Sequence, residues 1–191
     1  MTDRLCILVD LDDVCNNLME TTLEFFNREN GTSYTLNDFT DYGIHNCLSE
    51  EDANKMHKLF LRKDLWEAVR PTRDAQMTLK QMINDGHEVY LCTATHFANA
   101  TWKGEWLAKY FPFFPWENVF IGAHKEKILG DYQVDDCLDH LKRRPYGRVV
   151  RDRPWNRNVH DEAYGIIRVN SLGEAYTAIL KDEEGRKQGD E

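Results

Sequence analysis

Three carboxylates, Asp10, Asp12 and Asp13, fall within four positions directly after the aliphatic run LCILV at residues 5 to 9. Like charges this close repel one another, so a cation or a tuned proton has to offset them. Two further acids, Asp135 and Asp136, follow a second short apolar run, YQV at 132 to 134. Thr93 ends a third, EVYLC at 88 to 92, and Lys125 follows a fourth, NVFIGA at 118 to 123. Oxygen ligands of this kind suit a hard cation such as Mg²⁺, which keeps several waters and takes one or two carboxylates together with a phosphate. The Thr93 hydroxyl, the Lys125 ammonium and neighbouring backbone N–H groups would neutralise the remaining phosphoryl oxygens. One carboxylate is then left for attack on phosphorus and another for proton transfer, which is the chemistry of phosphoryl transfer.

These residues converge only if the elements carrying them do. With RVV at 148 to 150 and GIIRV at 165 to 169, six apolar runs have the length of strands. Helical patterns separate several of them. DAQMTLKQMINDGH spaces Met77, Leu79, Met82 and Ile83 along one face and stops at Gly86, and ANATWKGEWLAKYF sets Trp102, Trp106 and Tyr110 four apart as core residues. Alternating strand and helix predicts an α/β fold with a parallel sheet covered on both faces, whose strand carboxyl ends line one crevice. The first two strands are roughly eighty residues apart, far more than a simple crossover needs. Residues 15 to 87 are therefore expected to hold a helical cap. Leu18, Thr22, Phe25 and Phe26 form one helix face in it, and Ser49 starts a further helix with Asp52 in its first turn. Residues 1 to 14 and 88 to 191 form the core domain, with 183 to 191 a frayed polar tail.

Other acid-rich arrangements fail on particulars. An EF-hand loop counted from Asp10 puts Val14 and Cys15 where it needs a ligand and a glycine. A receiver domain places its second acid before the threonine and its lysine last, whereas the order here is acids, Thr, Lys, acids. Neither GxxxxGK[ST] nor GxGxxG occurs. The 191 residues, 41% hydrophobic and 30% charged, read as one globular domain. A net charge of −9 argues against a nucleic-acid polymer as partner, and no apolar run approaches the ~18 residues of a membrane span. Five scattered cysteines without a CxxC pair indicate reduced thiols, with Cys6 and Cys92 as buried small hydrophobes, and the opening MTDRL lacks a basic signal-peptide start; both make the cytoplasm the expectation. Residues 142 to 157 carry seven Lys or Arg against one Asp, either as a face for anionic groups or as a solvated loop.

VDLDDV, LCTAT, Lys125 and VDD, in that order, resemble the four motifs of the haloacid dehalogenase superfamily of phosphatases. Within it the chain is similar to the 5'(3')-deoxyribonucleotidase family, the type C 5'-nucleotidases. That branch is marked by LCTA as second motif, Lys125 ten residues ahead of Asp135, and DRPWNR at 152 to 157. The resemblance covers residues 4 to 180. It implies a Rossmann-like core with a small cap inserted after the first strand. It also implies Asp10 as nucleophile forming an aspartyl-phosphate and Asp12 as general acid, then base. Mg²⁺ would be held by the Asp10 carboxylate, the Asp12 backbone carbonyl and Asp136, with Asp135 in close support. Thr93 and Lys125 would hold the phosphate, with Lys127 as the alternative lysine.

Departures from the family pattern bear on substrate. Asp13 replaces a frequent Gly, with its side chain expected to point away. Leu18 stands where an aromatic flanks the base, and Ala94 replaces a Ser, leaving only its N–H for phosphate. Phe39, Tyr42 and Trp66 of the cap could supply a stacking surface instead, and His96 and His124 flank the phosphate motifs. The expected substrate is a small phosphomonoester, foremost a nucleoside monophosphate. A phosphatase for another phosphorylated metabolite, or an idle phosphate-binding protein, are the alternatives, and the sequence leaves monomer and homodimer both open.

Overall fold

The computed structural model describes residues 4–145, 147–158 and 161–189. The six apolar runs form β1 (Cys6–Val9), β2 (Glu88–Thr93), β3 (Val119–Ile121), β4 (Tyr132–Asp135), β5 (Arg148–Arg151) and β6 (Ile166–Val169). They make one sheet in the order β3-β2-β1-β4-β5-β6, and every pairing is parallel. β1 is central, and Val9 pairs with both Leu91 and Val134. Asp10, Thr93 and Asp135 therefore leave the sheet at nearly one level.

Side chains alternate across the strands, and the two faces are covered unequally. Ile7, Val9, Val89, Leu91, Val134 and Val149 point into the main core. There they join Leu79 and Met82 of α5 (Ala75–Asn84), Trp106 of α6 (Ala100–Tyr110) and Ile179 of α8 (Leu172–Gly189). Each such side chain contributes about 1.5–3 kcal/mol. The opposite face carries a smaller cluster, in which Leu138 and Leu141 of α7 (Leu138–Lys142) meet Val150 and Ile166. Helices flank both faces as expected, and cover is thinner on this side because the β3–β4 connection is a loop with one 3-10 turn at Lys125–Lys127. Phe120 stays exposed beside Tyr90, and Cys6 is half-buried, not buried as expected. Gly147, at φ +64, lies so close to this loop that a Cβ would sit 1.8 Å from the Asp131 carbonyl oxygen. Only glycine serves there.

The insertion after β1 is helical. It comprises α1 (Leu18–Asn30), a 3-10 turn at Leu36–Asp38, α2 (Ile44–Cys47), α3 (Glu50–Leu59) and α4 (Lys63–Ala68). Leu18, Thr22, Phe25 and Phe26 are buried on one face of α1, and the Ser49 hydroxyl caps α3 by accepting from Asp52 N at 3.2 Å. The two connections to the core run side by side. Asn17 N donates to Arg70 O at 3.1 Å, Thr72 N to Cys15 O at 2.9 Å, and Asn16 bridges Pro71 in antiparallel fashion. This stem closes the insertion near residue 71 instead of 87. α5 lies beyond it and packs on the core, where Gly173 N and Tyr176 OH of α8 donate to Asp74 and Asp85. On α5, Leu79 and Met82 are buried as spaced, whereas Met77 faces solvent. Residues 183 to 189, expected as a frayed tail, continue α8; the final two lie outside the described residues.

His87, just before β2, is buried and its Nδ1 accepts from Leu5 N at 3.2 Å, so the ring is held neutral. Burial lowers its pKa from the ordinary 6.5, with Asp85 opposing. The unfolded chain consequently takes up a proton before the folded one does, and stability is lost as pH falls from about 6.5 toward the lower folded value. Denaturant titrations from about pH 7 to about pH 5 should show unfolding free energy falling less steeply in His87→Gln than in the wild type.

Candidate active site

The carboxyl ends of β1 and β4 bring together the acids that the sequence separates by more than a hundred residues. Lys125, buried, sits 2.6 Å from Asp10 Oδ1 and 3.1 Å from Asp135 Oδ2. Asp135 also accepts from Gln133 Nε2 and Cys137 N, each at 2.9 Å, and pairs with His140 Nδ1 at 3.2 Å. Burial alone would raise the Asp135 carboxyl, but Lys125 and His140 beside it hold it below the usual range. Asp10 differs. Burial pushes it up to about 6 despite Lys125, with Asp135 and Asp12 adding to the rise. Asp136 is raised well above the carboxylate range by burial and by Asp10 and Asp135.

Carboxylate oxygens of Asp10, Asp135 and Asp136 lie within 4.8 Å of one another. Asp135 has both oxygens engaged, so its role is to hold Lys125. Burial first, and the neighbouring acids after it, raise Asp10 and Asp136, and a divalent cation would offset both costs. The donor set is all oxygen, which suits a hard ion. A divalent metal therefore fits these residues.

Asp12 stands on the other side of Asp10. Its Oδ2 pairs with Lys103 Nζ at 2.6 Å, and its Oδ1 accepts from Asn16 Nδ2 at 3.0 Å. The Lys103 ammonium also donates to Thr93 Oγ1 at 2.8 Å and Ala94 O at 2.9 Å, and it lies 5.2 Å from the Trp66 ring centre. Thus Thr93 and Asp12 are joined through a buried cation carried by α6. Asp13 adopts the left-handed region at φ +57, which explains a frequent Gly at this place in the family. Its side chain does not turn away: it lines the cavity, and Oδ1 accepts from Met19 N at 3.0 Å in the first turn of α1. Burial pushes its carboxyl up to about 7, against Arg153.

A cavity of about 640 Å³ opens between this cluster and the cap. Asp10, Asp12, Ala94, Lys125 and Asp136 line its floor, and Leu18, Phe39, Tyr42 and Trp66 line its cap side. Thr93 lies just beneath, fully buried. His96 reaches the wall, whereas His124 is exposed and pairs with Glu126 at 3.2 Å. Lys127 is exposed and Lys125 buried. In the basic stretch 142 to 157, Arg143 and Arg157 are exposed, whereas three arginines turn inward. Arg144 donates to Ile128 O and Gly130 O, Arg148 to Arg144 O and Tyr164 O, and Arg153 to Asp13 O. The β3–β4 loop and the turns around it expose carbonyls that these guanidinium groups satisfy.

Sequence reasoning missed Lys103 and the roles of Arg153, Trp155 and Asn156. Lys103 carried a signal, since it stands three before Trp106 and seven before Tyr110, a lysine on an apolar stripe. DRPWNR was noticed, but nothing in its spacing says that Trp155 Nε1 donates to Asp136 Oδ2 at 2.9 Å.

The fold is one shared with haloacid dehalogenase-like hydrolases. A crystal structure of a predicted phosphatase from Clostridium acetobutylicum superposes with TM-score 0.64 at 14% identity, covering 93% of this chain and 99% of that one. A haloacid dehalogenase-like hydrolase from Streptococcus pneumoniae gives 0.60 at 11% identity, covering 93% and 99%. Residues 4–184 match the family model of the 5' nucleotidase, deoxy (Pyrimidine), cytosolic type C proteins, and the chain belongs to this family of phosphoric monoester hydrolases. A 5'(3')-deoxyribonucleotidase of Bacillus subtilis (strain 168) is 27% identical over 154 residues, 80% of this chain and 87% of that protein. A second, from Clostridium acetobutylicum, is 21% identical over 150 residues, 78% and 83% respectively.

Removing Lys103 leaves Thr93 Oγ1 and Ala94 O without their buried donor, while Asp12 keeps Asn16 and partial exposure. Lys103→Met should lower the unfolding free energy by about 1–3 kcal/mol, measured by urea denaturation.

Proposed function

We propose that the chain hydrolyses nucleoside monophosphates, deoxyribonucleotides foremost, by a Mg²⁺-dependent two-step mechanism through an aspartyl-phosphate on Asp10. The observation that carries this reading is the polarity of the cavity. Its lysines, Lys103 and Lys125, both lie at the carboxylate floor with Trp66 beside Lys103, and the cap contributes Leu18, Phe39, Ile44 and Phe60, with Asp41, His45 and His57 among its polar groups. Such a site suits one phosphate joined to a flat or apolar uncharged group. The named activity of the Bacillus subtilis and Clostridium relatives points to the same substrates. A metabolite carrying extra anionic groups has less support, because Arg144, Arg148 and Arg153 are bonded to carbonyls and Arg157 is paired with Asp152.

In this mechanism Asp10 attacks phosphorus and forms the acyl phosphate while the leaving oxygen takes a proton from Asp12. Asp12 then takes a proton from the water that attacks the same phosphorus, and Asp10 is released with inorganic phosphate. Lys125 stands between Asp10 and the phosphoryl oxygens and offsets their repulsion. The Ala94 N–H holds those oxygens, whereas Thr93, expected to share that task, is fully buried and bonded to Lys103, which keeps Asp12 in place beside it. The Asp10 carboxylate, the Asp12 carbonyl and Asp136 would hold Mg²⁺, which when bound supplies the charge neutralisation that the phosphate and acids need.

Phosphate release from 5'- and 3'-deoxyribonucleotides, ribonucleotides and sugar phosphates, with Mg²⁺ or EDTA, tests the proposal. Release should concentrate on deoxynucleotides, require the metal and drop by at least about 10³-fold in Asp10→Asn. Activity on sugar phosphates equal to that on nucleotides would overturn the substrate assignment, and an Asp10→Asn enzyme near wild type would overturn the mechanism.

A further inference from the structure

We propose that Trp155 is the positioning residue of Asp136, fixing that carboxylate for the metal; the inference rests on the reading above that Asp136 holds Mg²⁺. Asp136 is buried, and its Oδ2 takes the indole N–H of Trp155 at 2.9 Å. An indole can only donate, and its direction is set by the rigid ring. The bond therefore restrains rotation of the carboxylate and fixes the direction in which its remaining lone pairs meet the cluster with Asp10.

The turn that carries Trp155 is itself held from several sides. Asn156 Nδ2 donates to Asp136 O at 2.9 Å and to Arg151 O at 2.7 Å. Asn156 Oδ1 accepts from Arg153 N at 3.1 Å and from Arg168 Nη1 at 2.6 Å. Arg153 reaches the opposite acid loop, with Nε and Nη2 donating to Asp13 O at 2.9 Å and 2.6 Å. One turn at Pro154–Asn156 thus braces both acid-bearing strand ends. Trp155 also lines the cavity, so its ring shields the Asp136 bond on the substrate side. Partners of metal ligands placed in this way typically govern metal affinity by 10–100-fold.

Isothermal titration of the whole protein with Mg²⁺ tests this without turnover. Trp155→Phe keeps the ring and removes the donor, and should raise the Mg²⁺ Kd by at least about tenfold while its thermal midpoint stays with the wild type. Asp136→Asn should weaken binding further, and Asp136→Asn with Trp155→Phe should bind no more weakly than Asp136→Asn alone. A Trp155→Phe protein with wild-type Mg²⁺ affinity would overturn the inference. Wild-type affinity in Asp136→Asn would instead overturn the ligand assignment on which it rests. Should the midpoint of Trp155→Phe fall, Trp155→His, which retains a ring N–H, decides the matter: recovered affinity supports the donor role, and affinity as weak as that of Trp155→Phe overturns it.

Discussion

Asp10, Asp12, Asp13, Asp135 and Asp136 crowd the carboxyl ends of two adjacent parallel strands, and two buried lysines stand among them. Carboxylates at such density are tolerated only where donors are supplied from outside the strands themselves. Lys125 comes from the β3–β4 loop, Lys103 from α6, Arg153 and Trp155 from the turn after β5, and His140 from α7. Each of these elements sends one or two polar side chains to the acids or to the backbone beside them. The balance still leaves more carboxylates than cations, and a phosphate dianion would deepen the deficit. A divalent cation is the electrostatic complement of this arrangement.

The acid sets, Thr93 and Lys125 were legible because each terminates a short β-branched run, and a parallel sheet brings such termini together whatever their separation in the chain. Six strands could be read for the same reason. What resisted reading was anything that depends on how one segment lies across another. The cap boundary was set too late because the α5 pattern looks the same whether it packs on the cap or on α8. The basic stretch read either as a face for anionic groups or as a solvated loop, yet Arg144, Arg148 and Arg153 are drawn inward by carbonyls of segments whose path no local pattern specifies. Lys103 drew no reading between two tryptophans, and its burial is intelligible only once Asp12 and Thr93 are placed beside α6.

Two tethers connect the cap to the core, and they bond to each other instead of running free. Residues 15–17 and 70–72 form a short antiparallel stem whose first strand starts two residues after Asp13. Asn16, within the stem, donates to Asp12 Oδ1 and accepts from Asp13 N. Arg153 grips the Asp13 carbonyl from the core side. The hinge of the cap and the acid loop are consequently one hydrogen-bonded unit, and the aromatic wall is referenced to the carboxylates through backbone contacts, not through side-chain packing alone.

The place of β1 in the sheet also bears on the order in which this molecule can be built. The first strand made is the central one, and both its partners, β2 and β4, come from far later in the chain. A nascent chain that has emerged only through the cap holds Asp10, Asp12 and Asp13 with neither lysine to meet them, so the acids stay hydrated and apart. Their enclosure has to wait for contacts of long sequence separation, which form slowly. Ribosomal synthesis runs from the amino end, so the acids of β1 are enclosed only after Lys125, Asp135, Asp136 and the bracing turn at Pro154–Asn156 have been made.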